Sequence, residues 1–344
     1  MATPSLMSQT TYAELLERCT LSAFNAAFSE NGVFTVKAIK EKHYWYFQTS
    51  TAQGRTQQYV GPETPELLEK IARHREMRDD ERERRSLVSM LIRSCGLPRP
   101  IPEMGEIIAA LAKAGVFRLR GVLVGTLAYQ VYSAMLGTRL PLASLQTADV
   151  DIAQFRNISI PVEDQTPPVL EILQGVDKTF RAIPHVSDSR KTTSYLTKGG
   201  IRVDFLTPNA GPDTEKPKSL PAFQTDAQPL RFLDYLIHKT EPAVVLYGTG
   251  IYVLVPTPEH FAIHKLIISR RRPVGVAKRD KDLHQAESLL NVLVQKRSHD
   301  LKVAWDEACQ RGPKWRQLLL EGMSQLPSKI RDAVLAFVGE SNIS

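Results

Sequence analysis

Asp149 and Asp151 stand two residues apart in the run Ala148-Asp149-Val150-Asp151-Ile152. Side chains alternate between the faces of a β-strand, so both carboxylates project from one face while Val150 and Ile152 occupy the other. Two carboxylates on one face repel each other unless a cation lies between them. Oxygen ligands of this kind suit Mg²⁺, which takes one or two carboxylates and completes its octahedron with phosphate oxygens and water. A third acid, Asp204, interrupts the apolar run Val203-Asp204-Phe205, whose flanking residues face a core opposite it. Upstream, the apolar segment Gly121 to Val124 leads into Gly125-Thr126 and then a helical pattern. Backbone amides and a hydroxyl at a helix N-terminus form a turn that can hold phosphate.

These residues need a scaffold, and the spacing of apolar residues outlines one. Helix (103–114), strand (117–124), helix (126–136) and strand (148–155) follow one another, with a further helix at 168–173, which indicates a mixed α/β domain. Strands are expected at 180–183, 193–197 and 201–206, the last two joined by a hairpin at Lys198-Gly199-Gly200. Residues 209–227, rich in proline and polar side chains, are expected to be loop. Residues 244–247 and 251–255 form another hairpin around Gly248. From Thr257-Pro258-Glu259 onward the spacing is helical almost to the end, in five segments (261–270, 278–294, 301–309, 315–323 and 330–338), which predicts a C-terminal helical bundle.

On the N-terminal side, a helix at 12–28 precedes three short strands between Asn31 and Gly61. Tyr44, Trp45, Tyr46, Phe47 and Tyr59 cluster there, with Lys37, Lys40, Lys42, His43 and Arg55 nearby. Such rings either stack on nucleotide bases or build the core of a small sheet. Thr64-Pro65-Glu66 opens a helix that the charged stretch Arg73 to Arg85 continues, and its mixed signs suit a solvated face. Pro98 and Pro100 mark a boundary. The organisation expected is therefore 1–97 as an N-terminal region of helix, small sheet and charged helix, 98–257 as the catalytic domain and 258–344 as the helical bundle.

Composition narrows the class. The 344 residues, 42% hydrophobic and 24% charged, are average for a globular protein and argue against a disordered or coiled-coil chain. No apolar run reaches the roughly 18 residues of a membrane helix, and the polar N-terminus lacks a signal-like basic segment with an apolar core, so a cytoplasmic protein with no membrane partner is expected. Cys19, Cys95 and Cys309 are too far apart for a disulfide framework or a paired metal site. Lysine plus arginine at 44 against 37 acids gives a net charge of +7, which makes polyanions plausible partners. GxGxxG, GxxxxGK[ST] and GxSxG are absent, which excludes the common dinucleotide, P-loop and serine-hydrolase signatures. His260 and His264 lie four apart, but the glutamate precedes His260, so the HExxH zinc pattern fails and a capping region with a surface histidine is expected. The basic run Ser269 to Lys281 is either a solvated corner between helices or a site for triphosphate or a nucleic-acid backbone.

The ordered set of strand, Gly125-Thr126, helix, strand with Asp149-Val150-Asp151 and later strand with Asp204 resembles the DNA polymerase β-like nucleotidyltransferase superfamily over about residues 102–208. The tyrosine-rich hairpin ending Tyr59-Val60-Gly61-Pro62-Glu63 is similar to a little-characterised bacterial branch. The helices carrying Pro258-Glu259-His260 to Lys265 and Lys278-Arg279-Asp280-Lys281-Asp282 are similar to the bundle that follows the catalytic domain in AbiEii-type toxins and small antibiotic nucleotidyltransferases. Two departures are present: Thr126 replaces the usual Ser or Gly, and the segment from Gly125 to Asp149 is longer than in minimal members.

The resemblance implies an α+β fold with a mixed-sheet nucleotidyltransferase core, a small N-terminal antiparallel sheet and a C-terminal helical bundle. It implies a metal-dependent enzyme that moves a nucleoside monophosphate from a nucleoside triphosphate to an acceptor hydroxyl and releases pyrophosphate. Asp149, Asp151 and Asp204 would be the catalytic and metal-binding residues, holding two Mg²⁺ or Mn²⁺ ions, with Asp204 on the acceptor side. Gly125, Thr126, Lys265, Lys278 and Arg279 would bind the nucleotide. The charge balance points to RNA such as tRNA as acceptor. The alternative is a catalytically inactive nucleic-acid or protein-binding module on the same fold, against which the intact acidic triad argues, because clustered carboxylates cost stability when no cation neutralises them.

Overall fold

The computed structural model describes residues 6–26, 32–39, 42–51, 54–73, 81–141, 147–156, 164–209, 211–273 and 275–338. Helix α1 (Leu6–Ala26) precedes a three-stranded antiparallel sheet, β1 (Gly32–Ile39), β2 (Lys42–Thr51) and β3 (Gly54–Pro62). Tyr46 and Phe47 are buried in that sheet, Phe34 meets Phe47 edge-on at 4.8 Å, and Tyr46 meets Tyr59 at 5.6 Å. These rings are engaged with one another, as a small core requires. Lys40 lies outside the described residues, as does the Arg55 side chain.

The charged region forms two helices, α2 (Pro65–Arg73) and α3 (Glu81–Arg93), and Arg78, Asp79 and Asp80 lie outside the described residues. One part of that stretch departs from the expected solvated face. Arg84 is buried, and its guanidinium donates to the Thr249 carbonyl at 3.2 Å. Helices α1 and α3 share an apolar cluster with the central part of the chain, in which Tyr12, Leu15 and Leu91 pack with Ala134 and Val244.

The central sheet is built from β4 (Val122–Val124), β5 (Asp149–Ala153), β6 (Arg181–His185), β7 (Asp188–Leu196), β8 (Arg202–Pro208), β9 (Lys218–Leu220) and β10 (Thr225–Leu230). Helices α4 (Pro102–Lys113), α5 (Gly125–Met135) and α6 (Val169–Val176) are interleaved with these strands. β5 runs parallel to β8 and antiparallel to β4, while the other edge of β8 is shared by antiparallel β7 at its start and parallel β10 at its end. Alternation sorts the two faces as expected: Val150, Ile152, Val203 and Phe205 are fully buried on one side, which leaves Asp149, Asp151 and Asp204 on the other.

Two expectations fail here. The strand expected over 117–124 is cut to 122–124, because Arg120 adopts a left-handed backbone (φ 60°) and Gly115 another (φ 92°), so the chain turns between α4 and β4. The loop expected over 209–227 contains β9, a 3₁₀ turn at Pro221–Phe223 and the start of β10. Thr-Asp-Ala-Gln-Pro-Leu carries no strong strand pattern, and its first half pairs with β9 while its second half takes the free edge of β8.

A short helix α7 (Leu233–Ile237) leads to the hairpin of β11 (Thr240–Val245) and β12 (Ile251–Pro256). The bundle follows as α8 (Pro258–Arg271), α9 (Ala277–Lys296), α10 (Ser298–Gln310), α11 (Pro313–Met323) and α12 (Ser328–Val338). It joins the central sheet through one core: Tyr132 of α5 meets Phe261 of α8 edge-on at 5.2 Å, and its hydroxyl donates to the Pro256 carbonyl at 2.8 Å. Among the described residues, no helix is long and apolar enough to cross a membrane.

Candidate active site

Strand register brings the three acids together. Asp151 is the direct Cα partner of Asp204 across the parallel β5 and β8 pair, and Asp149 is the partner of Arg202. Neighbours in register point to the same face, so the three carboxyls share one surface of the sheet. Burial, then the nearby charges of Asp204 and Asp149, push the Asp151 carboxyl up to about 7, although Lys265 and Lys278 pull it the other way. Asp204 is held by its own strand and by the facing one. Its Oδ1 accepts from Ser194 Oγ of β7 at 2.5 Å and from Arg202 Nε at 2.7 Å, and Arg202 Nη2 donates back to Ser194 Oγ at 2.9 Å.

Gly125 stands where β4 hands over to α5, with φ of 67°. A Cβ built there would lie 2.1 Å from Asp151 Oδ2, so the position demands glycine both for its backbone angle and for the carboxylate pressed against it. Val124 caps α5 without a side-chain hydrogen bond, and no acid occupies the first turn. The first turn of α5 thus carries no acid of its own and begins beside the Asp151 carboxylate.

The bundle contributes the cations. Lys278, in the first turn of α9, reaches Asp149 Oδ2 at 3.6 Å with most of its side chain in solvent. Lys265 of α8 donates to Asp282 Oδ1 at 2.5 Å, and Arg272 donates to the other oxygen at 2.6 Å. Burial alone would raise the Asp282 carboxyl, but these two cations outweigh it and hold it below its ordinary value. Arg279 is buried on α9. Lys281 is lowered from its ordinary value, first by burial and then by the charge of Lys265, while Asp282 and Asp149 pull it back.

Among the residues singled out in the sequence, Asp149, Asp151, Asp204, Gly125 and Lys278 thus converge, with the charge of Lys265 felt at Asp151; Thr126 follows Gly125 in the chain, and Thr126 and Arg279 are buried. Ser194, Arg202 and Asp282 complete the network, although their residue types and spacing do not single them out as site residues. Arg202 carries a usable signal all the same, since it lies two positions before Asp204 on the same strand face. Ser194 becomes visible only through the register of the β7 and β8 hairpin, where it faces Asp204. A cavity of about 250 Å³ opens beside Asp204, Ser194 and Arg202, and His185 and Gln228 line its far side.

Three carboxylates without a thiolate or imidazole are a hard-oxygen donor set of the kind that Mg²⁺ takes. Burial chiefly raises Asp151, and the negative charge of Asp204 and Asp149 that adds to it is what such a cation relieves. The histidines tell a different story. His260 is buried, not on the surface, with Thr257 capping α8 beside it, and its Nε2 faces Glu307 at 3.2 Å. Burial brings it down to about 4 and His264 to about 3. Among the described residues, His238, His260 and Glu307 group their ligand-type atoms within 4.8 Å of one another. Arg311 at 3.0 Å and Lys239 at 3.6 Å already neutralise that glutamate.

Comparison with known proteins adds the family. No curated protein matches the chain. A crystal structure described as an antigenic nucleotidyltransferase-like protein from Paracoccidioides brasiliensis is 13% identical, covering 64% of this chain and 94% of that one, with a TM-score of 0.31, too low to bear on the fold. A family model described as nucleotidyltransferase matches residues 102–310, from α4 to the end of α10, which is more than half of the chain and takes in the three acids, the Gly125 turn and the lysines of α8 and α9. The chain belongs to this nucleotidyltransferase family.

Proposed function

We propose that the enzyme uses a polymerase β-like core to transfer a nucleoside monophosphate from a nucleoside triphosphate to a hydroxyl of RNA such as tRNA. The observation that carries this reading is the in-register placement of Asp151 beside Asp204, with Asp149 on the same face and the Gly125 turn against Asp151. The acceptor oxygen attacks the α-phosphorus, the bond from that phosphorus to the bridging oxygen breaks, and pyrophosphate leaves with the electron pair. Asp149, Asp151 and Asp204 would hold divalent cations, which would neutralise charge at the triphosphate and at the attacking oxygen.

The chain's own residues do the positioning. The first amides of α5 and the Thr126 hydroxyl orient the β and γ phosphates. Lys278, Lys265 and Arg279 offset their charge, and Asp282 with Arg272 fixes the Lys265 ammonium. Ser194 and Arg202 pin one oxygen of Asp204, so the carboxyl is presented in a fixed orientation to assist loss of the acceptor proton. The net charge of +7 supports a polyanionic acceptor.

The test is incubation of the protein with each radiolabelled triphosphate, Mg²⁺ or Mn²⁺, and total RNA or total protein from a bacterial lysate. Label is expected in a tRNA-sized band and is expected to vanish in Asp149→Asn and Asp151→Asn. Full transfer by either variant overturns the site, and label confined to protein or a small molecule overturns the acceptor.

A further inference from the structure

A second cleft, of about 760 Å³, lies between the end of β8, the turn into α7 and the start of α11. Arg231, Arg270, Arg271, Arg311 and Lys314 line it against only two carboxylates, Asp213 and Asp234. The guanidiniums are fixed in place. Arg231 and Arg271 share Asp213 at 3.4 and 3.2 Å, Arg271 lies over the Phe232 ring at 5.4 Å, and Arg311 lies over Trp315 at 5.1 Å. Phe232 and Trp315 meet edge-on at 4.5 Å and form a stiff floor beneath them. Arg270 keeps Nε and Nη1 buried without a hydrogen bond, and Glu321 stands 3.7 Å from its Nε. Arg311 also pairs with Asp234 and Glu307, so four acids serve the four arginines. Lys314 is left without an ion pair among the described residues and Arg270 keeps two unbonded nitrogens, and an anionic ligand would complete both.

Two elements measure the cleft from the acids. Asp204 and Pro208 lie on the same strand, four residues or about 13 Å apart. Lys265 and Arg271 lie on the same helix, six residues or about 9 Å apart. The cleft therefore begins about three to four stacked nucleotides from the acidic face, at about 3.4 Å each. That spacing suits a strand whose reactive end sits at Asp204 and whose backbone runs onward, and it exceeds what a small acceptor needs.

We infer that this cleft anchors the phosphodiester backbone of a single-stranded nucleic-acid segment adjoining the acceptor end. The inference rests on the reading of Asp204 as the acceptor side. Arginine and lysine hold the phosphates, and Trp315 and Phe232 keep the arginines aligned.

The experiment measures binding without catalysis. A 5′-labelled single-stranded RNA of about ten nucleotides is titrated with the full chain over a salt series, followed by fluorescence anisotropy. The double variant Arg231→Gln, Lys314→Gln is expected to bind about tenfold more weakly. The slope of log affinity against log salt should shrink by about 1.4, at about 0.7 for each single-strand phosphate that the variant no longer neutralises. Lys314→Glu alone should weaken binding further than Lys314→Gln, which guards against a variant that merely misfolds. Asp204→Asn should retain binding, so loss of transfer in that variant and loss of anchoring in the double variant are separate results. Unchanged affinity and slope in a double variant with an unchanged melting temperature overturn the inference. So does displacement of the RNA by oligoglutamate of equal charge at equal concentration, which would assign the cleft to an acidic protein.

Discussion

Asp151 and Asp204 are direct neighbours across parallel strands, and burial together with that proximity raises the Asp151 carboxyl to about 7. The register of the β5 and β8 pair sets residues 53 positions apart in sequence side by side.

Stability should record the strain between them. The folded value of about 7 lies above the ordinary value of 3.8, so the folded state holds the proton more tightly and stability falls as pH rises through that window. Asp151→Asn removes this dependence. The melting temperature of the variant should overtake that of the wild type between about pH 4 and 7, and Mg²⁺ should raise only the wild type above pH 7. Parallel pH profiles for the two proteins would refute the account.

Gly125→Ala should cost about 2 kcal/mol or more, because its Cβ meets Asp151 Oδ2 at 2.1 Å and its φ of 67° is unfavourable for alanine. Chemical denaturation measures the loss. Nucleotide transfer should fall further than stability does, since the substitution displaces a carboxylate of the site.

Lys278→Ala should leave stability within about 0.5 kcal/mol, as exposed ion pairs contribute little. Its ammonium lies 3.6 Å from Asp149, and if it holds the triphosphate as proposed, KM for the nucleotide should rise about tenfold with a smaller change in kcat. Steady-state kinetics at saturating acceptor separates the two parameters.

A structural prediction concerns Glu259, buried in α8 and raised to about 7 mainly by that burial, with Arg297 at 2.8 Å opposing the rise. Arg297→Met strands the carboxylate and should destabilise the fold by about 3 kcal/mol at pH 8. Adding Glu259→Gln should recover part of the loss. A double variant no more stable than the single one would show that Glu259 is not the cause.

The site is legible wherever one strand carries its own pattern. Period-two alternation sets Asp149 beside Asp151 and opposes Asp204 to Val203 and Phe205, and the glycine before a helical run marks the Gly125 turn. What a single strand does not encode is its neighbour. Ser194 reaches Asp204 through hairpin register, and β10 forms by pairing with β9 and with the open edge of β8. The strand expected at Phe117 fails for a local reason, since nothing in the residue type announces the left-handed backbone of Arg120. Arg84 escapes the charge pattern because mixed charge says nothing of which residue a helix turns inward.

The contact between α1 and β11 sets an order on synthesis. The Tyr12 hydroxyl accepts from the amide of Val244, 232 positions later in the chain. At about 5 to 20 residues per second, the ribosome delivers that partner roughly ten to fifty seconds after α1 has emerged. Through that interval the face of α1 bearing Leu15 and Cys19 has no β11 to cover it, so α1 is made long before it can dock there. Chaperone capture of nascent chains should accordingly concentrate on α1 and end once the hairpin of β11 and β12 leaves the exit tunnel.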